Sequence, residues 1–232
     1  METVAIGPRQ VDVWPNGQVI TPIDSSIRWT LFDDHTTLHD DLVHVALTRE
    51  NDKWGDEQAP SRSLGGRKVH HLDTWGSPAV DLIHARAISL FKQAVGSTAA
   101  AVDLSWANVY RQHDYVSPHA HRRSVASVVY SVDPGDKDEN DALAGRLAFV
   151  DPRLDACCQE QKGFMTTPVF PEMPGGAMIV FPAEVVHCVT PYDGTRPRIT
   201  FAWNINRTPT AGTADDKARG IPKRRDERKK KQ

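Results

Sequence analysis

The chain has 232 residues, 39% hydrophobic and 25% charged, with a formal net charge of −2. That length buries one substantial core, and so even a charge balance excludes a global electrostatic attraction of the folded body to nucleic acid. No apolar run approaches the roughly 20 residues of a membrane span, and the N-terminal METVAIGPRQ lacks a signal-peptide pattern, so no membrane partner and a cytoplasmic location are expected.

The first third mixes short extended pieces with helical ones. Val11-Asp12-Val13-Trp14 and Gln18-Val19-Ile20 flank the turn signal Pro15-Asn16-Gly17, which predicts a hairpin-like entry. Apolar spacing at Leu38, Leu42, Val43, Val45 and Leu47 predicts a helix over 36–48, with Thr36 or Thr37 as its N-cap. The polar stretch 51–66 reads as a surface loop. Ser77-Pro78 then opens an amphipathic helix to about Val95, its stripe formed by Val80, Ile83, Ala87, Leu90, Phe91 and Ala94.

From about Ala101 the texture becomes β. Short runs at 102–110, 124–132, 146–150, 177–181, 185–189 and 198–205 are punctuated by Asp133-Pro134-Gly135, Pro174-Gly175-Gly176 and Asp193-Gly194. This pattern predicts a mainly β fold, a sandwich or jelly-roll barrel with the earlier helices packed outside. The stretches 136–144 and 156–167 read as loops. The adjacent Cys157 and Cys158 and the solitary Cys188 form neither a disulfide framework nor a CxxC knuckle, which fits a reducing compartment. The segment from Gly212 holds nine Lys and Arg against four acidic residues, and reads as a solvated basic tail.

The chemistry concentrates in the β region. His119-Ala120-His121 comes just before the run 124–132, and on extended backbone residues i and i+2 share a face, so both imidazoles converge. Downstream, an apolar strand from Gly176 ends at Phe181-Pro182, turns, and re-enters a strand that places His187 early. Two histidines from one segment and a third from a distant one match the facial arrangement that leaves positions open on non-haem iron. Eleven residues after His187 comes Arg198, and Tyr192-Asp193-Gly194-Thr195 reads as a hairpin turn, so the His187 and Arg198 strands are expected to pair. Arg198 and Thr200 share a face and offer a carboxylate a bidentate fork and a hydroxyl. An inward arginine beside a metal needs an anionic partner, and a dicarboxylate that chelates iron at its keto-acid end supplies one.

The strings W-A-N-V-Y at Trp106 to Tyr110, H-A-H, V-V-Y-S-V, G-R-L-A-F-V-D-P-R at Gly145 to Arg153, F-P-A-E-V-V-H and R-P-R-I-T occur in this order over about 101–206. Together they resemble a family of 2-oxoglutarate/Fe(II) oxygenases, double-stranded β-helix proteins distantly similar to prolyl hydroxylases. The resemblance implies a single oxygenase domain over 1–210, with a β-helix core at about 101–206, a helical layer at about 27–96 and a disordered basic tail at 211–232. It implies Fe(II) as cofactor, 2-oxoglutarate and O2 as co-substrates, and His119 and His187 as iron ligands. Arg198 with Thr200 then binds the distal carboxylate of 2-oxoglutarate, and Tyr110 resembles a tyrosine that helps hold it. Most such enzymes carry Asp or Glu two residues after the first ligand; the branch resembled here often carries His, which makes His121 the third ligand. Asp114 stands as the alternative ligand, or as an acceptor that orients an imidazole. The catalytic set is thus His119, His121, His187 and Arg198.

The activity so implied is oxidation of a C–H bond, hydroxylation by default, with decarboxylation of 2-oxoglutarate to succinate. A free amino acid or other small metabolite is the expected substrate, and a peptide or protein side chain the alternative. Two other classes compete. A cupin-type metal enzyme, a three-histidine dioxygenase or isomerase, accounts for the run 176–187 but leaves Arg198 and Thr200 without a task. A jelly-roll binding module without turnover is the non-enzymatic reading. Elsewhere the plain readings are preferred: His35 and His39 as a solvated helix start, His70 and His71 without chemistry, and Trp29, Trp75, Trp106 and Trp203 as core aromatics. Asp151-Pro152-Arg153 reads as a structural turn or a border of the active site, and Cys188 faces away from the side shared by His187 and Val189.

Overall fold

The computed structural model describes residues 2–54, 66–121, 123–136 and 141–208, so the predicted tail, most of the predicted loop 51–66 and part of the loop 136–144 lie outside the described residues. At the N-terminus, β1 (Thr3–Ile6) and β2 (Arg9–Asp12) pair antiparallel, with Ile6 opposite Arg9. The hairpin therefore turns at Gly7-Pro8 and not at Pro15-Asn16-Gly17. Gly7 has φ +57°, the conformation a two-residue hairpin loop asks of its first position. Pro15-Asn16-Gly17 is a turn, closed by Gln18 N–H on Pro15 O at 3.1 Å, but Gln18-Val19-Ile20 forms no strand beyond it.

Strands β3 (Thr21–Pro22) and β4 (Arg28–Leu31) follow, then a short 3-10 turn, then helix α1 (His39–Trp54). The helix starts later than predicted because Thr37 belongs to the 3-10 turn, where its hydroxyl donates to Asp34 O. It continues past Asn51 because Glu50, nearly fully buried, is held by Arg111 at 2.8 Å and Arg67 at 3.5 Å. Strand β5 (Arg67–His70) leads to α2 (Pro78–Val95). Here prediction and structure agree: Ser77 is the N-cap, Pro78 opens the first turn, and Gly96 ends the helix at φ +59°.

Next come β6 (Ala101–Tyr110), β7 (Val116–His119), β8 (Ala126–Asp133), β9 (Leu147–Phe149), β10 (Ala177–Pro182), β11 (His187–Val189) and β12 (Arg198–Asn206). Seven strands form an antiparallel sheet in the order β3-β4-β10-β8-β12-β6-β5, and three form a smaller sheet, β7-β11-β9. The layer expected at 27–96 is thus only partly helical, since β4 and β5 extend the large sheet on its two sides.

Period-two alternation divides the large sheet. Val128, Tyr130, Met178, Val180, Phe201 and Trp203 pack with Leu42, Val80, Ile83, Leu90 and Phe91 of the helices. The opposite face looks toward the small sheet, where Ile179 and Phe181 meet Leu147 and Phe149. The result is a jelly-roll of the double-stranded β-helix type, as predicted. One pairing differs. β11 pairs with β7 and β9, whereas β12 pairs with β6 and β8, so His187 and Arg198 sit on different sheets. Tyr192 is the reason: its buried hydroxyl donates to Arg196 O at 2.5 Å and accepts from Asp136 N–H at 2.9 Å, making the connection a crossover between sheets.

The N-terminal layer is fastened by Arg86 of α2, fully buried, which grips both carboxylate oxygens of Asp34 at 2.8 and 2.6 Å and lies 4.2 Å from the Phe32 ring centroid. Replacing Asp34 by Ala leaves that buried charge with only the carbonyls of Asp12 and Val13 among the described residues, and urea denaturation is expected to show a loss of about 3 kcal/mol. A loss below about 1 kcal/mol would mean the pair is no more than a surface contact.

Candidate metal centre and co-substrate pocket

His119 closes β7 and His187 opens β11, directly opposite one another across the small sheet. His121 lies just beyond β7, held by its backbone N–H on Ala183 O at 2.7 Å. The H-x-H pair therefore ends a separate short strand; the expectation that it leads into the following run gave the right convergence through a different element. Ring centroids stand 4.3 Å apart for His119 and His187, 5.0 Å for His119 and His121, and 5.3 Å for His121 and His187. One ligand atom from each falls within 4.8 Å of the others, a group able to hold a metal ion.

Hydrogen bonds assign two of the rings. Nδ1 of His119 lies 2.9 Å from Ser117 O, and Nδ1 of His187 lies 2.9 Å from Val185 O. A carbonyl can only accept, so both Nδ1 atoms carry the proton and both Nε2 atoms keep a lone pair, the usual arrangement for a metal-binding imidazole. Burial holds all three rings neutral: it pushes His187 down to about 3 and His121 down to about 4, with His119 lowered as well, and mutual repulsion adds to the effect at His187 and His121. The chemistry of this donor set fits a divalent transition metal.

The same pocket contains Tyr110, Asn108, Arg198 and Thr200. Cross-strand register puts Arg198 opposite Tyr110 and Thr200 opposite Asn108, whose side-chain amide donates to Thr200 Oγ1 at 3.3 Å. Arg198 is buried, its guanidinium carbon 4.8 Å from the Tyr110 ring centroid, and its Nη1 has no hydrogen-bond partner. Among the described residues no carboxylate lies within ion-pair distance of it. Burial lowers its affinity for the proton, but an arginine stays charged, so the pocket presents an uncompensated cation. An orphaned donor of this kind fits an anionic ligand group.

Asp114 is absent from the histidine group. Its carboxylate instead accepts Arg111 N–H at 2.7 Å and closes the turn after β6, which leaves the ligand alternative without geometric support. Asp151 is structural and borders the site: it accepts Arg153 through the backbone N–H and two guanidinium nitrogens, and also accepts Val186 N–H at 3.0 Å, beside His187. Val189 lines the pocket as expected and Cys188 does not.

Other plain readings need correction. His35 is buried rather than solvated, with Nδ1 2.9 Å from the Tyr130 hydroxyl, because Gly175 and Gly176 leave room for its ring. Trp106 is a pocket wall, 6.0 Å from the His121 ring. Lys68 and Asn108 also line the pocket and were not foreseen. Asn108 was legible, since it shares a face of β6 with Tyr110. Lys68 was not, because a four-residue strand with polar alternation resembles loop sequence.

Comparison with known proteins agrees with this geometry. Residues 104–204 match a family profile described as "Putative 2OG-Fe(II) oxygenase". The fold is similar to AviO1 from Streptomyces viridochromogenes Tue57, with 14% identity, TM-score 0.56, and coverage of 81% of this chain and 91% of that one. It is also similar to a prolyl hydroxylase from Trichoplax adhaerens in complex with a hypoxia inducible factor peptide fragment, at 12% identity, TM-score 0.55, and coverage of 76% and 83%. SnoN, a non-heme alpha ketoglutarate dependent epimerase from nogalamycin biosynthesis, is similar at 14% identity, TM-score 0.55, and coverage of 79% and 76%. No match was found among curated proteins. The profile match covers residues 104–204, and within that segment the chain is similar to the 2-oxoglutarate/Fe(II) oxygenase family. The enzyme class is the one the motif resemblance implied, a 2-oxoglutarate-dependent non-haem iron oxygenase, for which Fe(II), 2-oxoglutarate and O2 are the cofactor and co-substrates.

The contacts of Asp151 lower its carboxyl from an ordinary 3.8 to about 2, chiefly through Arg153. A depressed folded-state value stabilises the fold above the unfolded value, and the benefit is lost as the pH falls toward 2. Asp151→Asn is expected to lower stability at neutral pH by roughly 1 to 2 kcal/mol, moderated because Arg153 is largely exposed. Denaturation curves of the two proteins should draw together between about pH 4 and pH 2; a pH-independent gap would remove the carboxylate's charge from the explanation.

Proposed function

We propose that the protein is a 2-oxoglutarate-dependent dioxygenase that hydroxylates a C–H bond of a small molecule such as an amino acid or other metabolite. His119, His121 and His187 are its iron ligands. Arg198 and Thr200, with Tyr110 beside them, receive the distal carboxylate of 2-oxoglutarate. The observation that carries this reading is the buried guanidinium with an unpartnered Nη1 in one pocket with three neutral imidazoles. A cupin-type enzyme would have no task for that guanidinium, and a module without turnover would have no need for either group.

His119, His121 and His187 would hold Fe(II), which when bound would supply activation of O2 coupled to oxidation of 2-oxoglutarate. In the balanced reaction, substrate C–H, 2-oxoglutarate and O2 give C–OH, succinate and CO2. The protein's part is orientation and exclusion of water. Ser117 O and Val185 O fix the tautomers that present Nε2, and Asp151 anchors the backbone just before His187. Arg198 neutralises one carboxylate of the co-substrate, while Thr200, ordered by Asn108, adds a hydrogen bond. Phe181, Val129, Leu147 and Val189 give the pocket apolar walls, which strengthen those electrostatic contacts.

Three neutral ligands leave the +2 charge of the metal without local compensation, so the co-substrate's carboxylates supply it. Among relatives of the same fold one binds a peptide and another is an epimerase, so the choice of a small molecule rests on the pocket. The reading further takes 1–210 as one catalytic domain. It also takes a cytoplasmic setting, supported by three free cysteines; no described helix is long and apolar enough to cross a membrane.

The test is turnover and binding together. Purified protein with Fe(II) and 2-oxoglutarate should release succinate in an O2-dependent manner, and small metabolites should be found that stimulate it. Calorimetry should show Arg198→Ala weakening 2-oxoglutarate by about 100-fold with metal affinity little changed, and His187→Ala abolishing metal binding. Unchanged 2-oxoglutarate affinity in Arg198→Ala would contradict the assignment.

A further inference from the structure

The pocket holds a second cation for which the proposed reaction has no assigned use. Lys68 lies on β5, opposite Asn108 in register, and its side chain lines the same pocket as His119 and His121. Its ammonium stands 5.6 Å from the Trp106 ring centroid, and that ring is 6.0 Å from His121. Among the described residues no carboxylate comes within ion-pair distance of it, and burial lowers its proton affinity without any acid to offset the effect. On the same face of β5, His70 lies 6.5 Å from the Trp106 ring, and its Nδ1 is buried without a partner. The pocket's lining includes Lys68 but not His70, and contains no acid among the described residues.

Register separates the two cations. Along β6, Tyr110 pairs with Arg198, Asn108 pairs with both Thr200 and Lys68, and Trp106 stands two residues further from Arg198. A 2-oxoglutarate that reaches from the imidazoles to Arg198 is directed away from Trp106. Lys68 then faces the space left for substrate, beside a divalent metal whose ligands are all neutral. A half-buried ammonium in that place repels the metal and, among the described residues, has an indole face but no carboxylate beside it, so an anion from the substrate lowers the energy of the whole site.

We propose that Lys68, backed by Trp106, is a substrate-recognition residue, and that the substrate is a small carboxylic acid whose carboxylate docks on the ammonium. The inference rests on the oxygenase reading and adds the substrate class to it. One lysine presents a point charge that balances the single charge of a carboxylate, whereas a phosphate ester brings nearly two. The Trp106 face accommodates the adjoining hydrocarbon, which places a C–H bond between the carboxylate and the histidine group.

The test is a calorimetric panel: the proteinogenic L-amino acids and the straight-chain acids from propanoic to octanoic, each with its primary amide. They are titrated without oxygen into the protein, with and without Fe(II) and 2-oxoglutarate. At least one acid should bind about tenfold or more tightly than its amide. Lys68→Met should erase that preference, Lys68→Arg should keep part of it, and the affinity of Lys68→Met for 2-oxoglutarate should stay within about twofold of the parent. Lys68→Gln gives a second neutral variant should methionine disturb folding. A panel without a binder, an acid preference that survives both neutral variants, or a fall in 2-oxoglutarate affinity would each overturn the proposal. Failure of the oxygenase reading itself has a different signature, the absence of 2-oxoglutarate binding in the parent protein with Fe(II).

Discussion

Strand β12 is buried on both faces along its whole length, and much of the rest follows from how it satisfies both. Ile199, Phe201, Trp203 and Ile205 must be covered by apolar surface, which α1 and α2 provide. With a side-chain period of two, Arg198, Thr200, Ala202 and Asn204 are then forced to the other side. A one-residue slip of register would put an arginine under the helices and a tryptophan in the pocket. The hydrophobic layer thus fixes the position of the polar one, and the functional face inherits its precision from packing that takes no part in chemistry.

The inner face is electrostatically unusual. Its three imidazoles are neutral, and two of them are oriented by carbonyls of their own strands' neighbourhoods, while Arg198 and Lys68 bring positive charge. Arg198, the buried one of the two, is costly without a partner, and nearby acids are engaged elsewhere: Glu50 by Arg67 and Arg111, Asp151 by Arg153, Asp114 by a turn. On the proposed reading, a pocket built in this way is completed when metal and anions enter it. That incompleteness gives the site its chemical direction.

Much of this was legible in the sequence, and the residues explain why. The six runs from 102 to 205 are long or apolar enough to read as strands, and the chain order of His119, His187 and Arg198 places them where a jelly-roll converges. Helix α2 carried its cap, its proline and its stripe in plain view. What escaped were short elements decided by tertiary contacts. β5 and β7 have four residues each and owe their existence to pairing with β6 and β11. The pairing of β11 with β12 was wrongly expected because Asp193-Gly194 resembles a hairpin turn, whereas Tyr192 anchors the segment as a crossover. Lys68 could not be assigned from sequence, since only the fold brings that edge strand to the pocket.

The central claim is that His119, His121 and His187 hold one ferrous ion that 2-oxoglutarate chelates while Arg198 receives its far end. Visible absorption without oxygen reads this most directly. Adding Fe(II) and 2-oxoglutarate to the folded protein should produce a metal-to-ligand charge-transfer band that neither component produces alone. Folded protein that binds Fe(II) yet develops no such band would contradict the account.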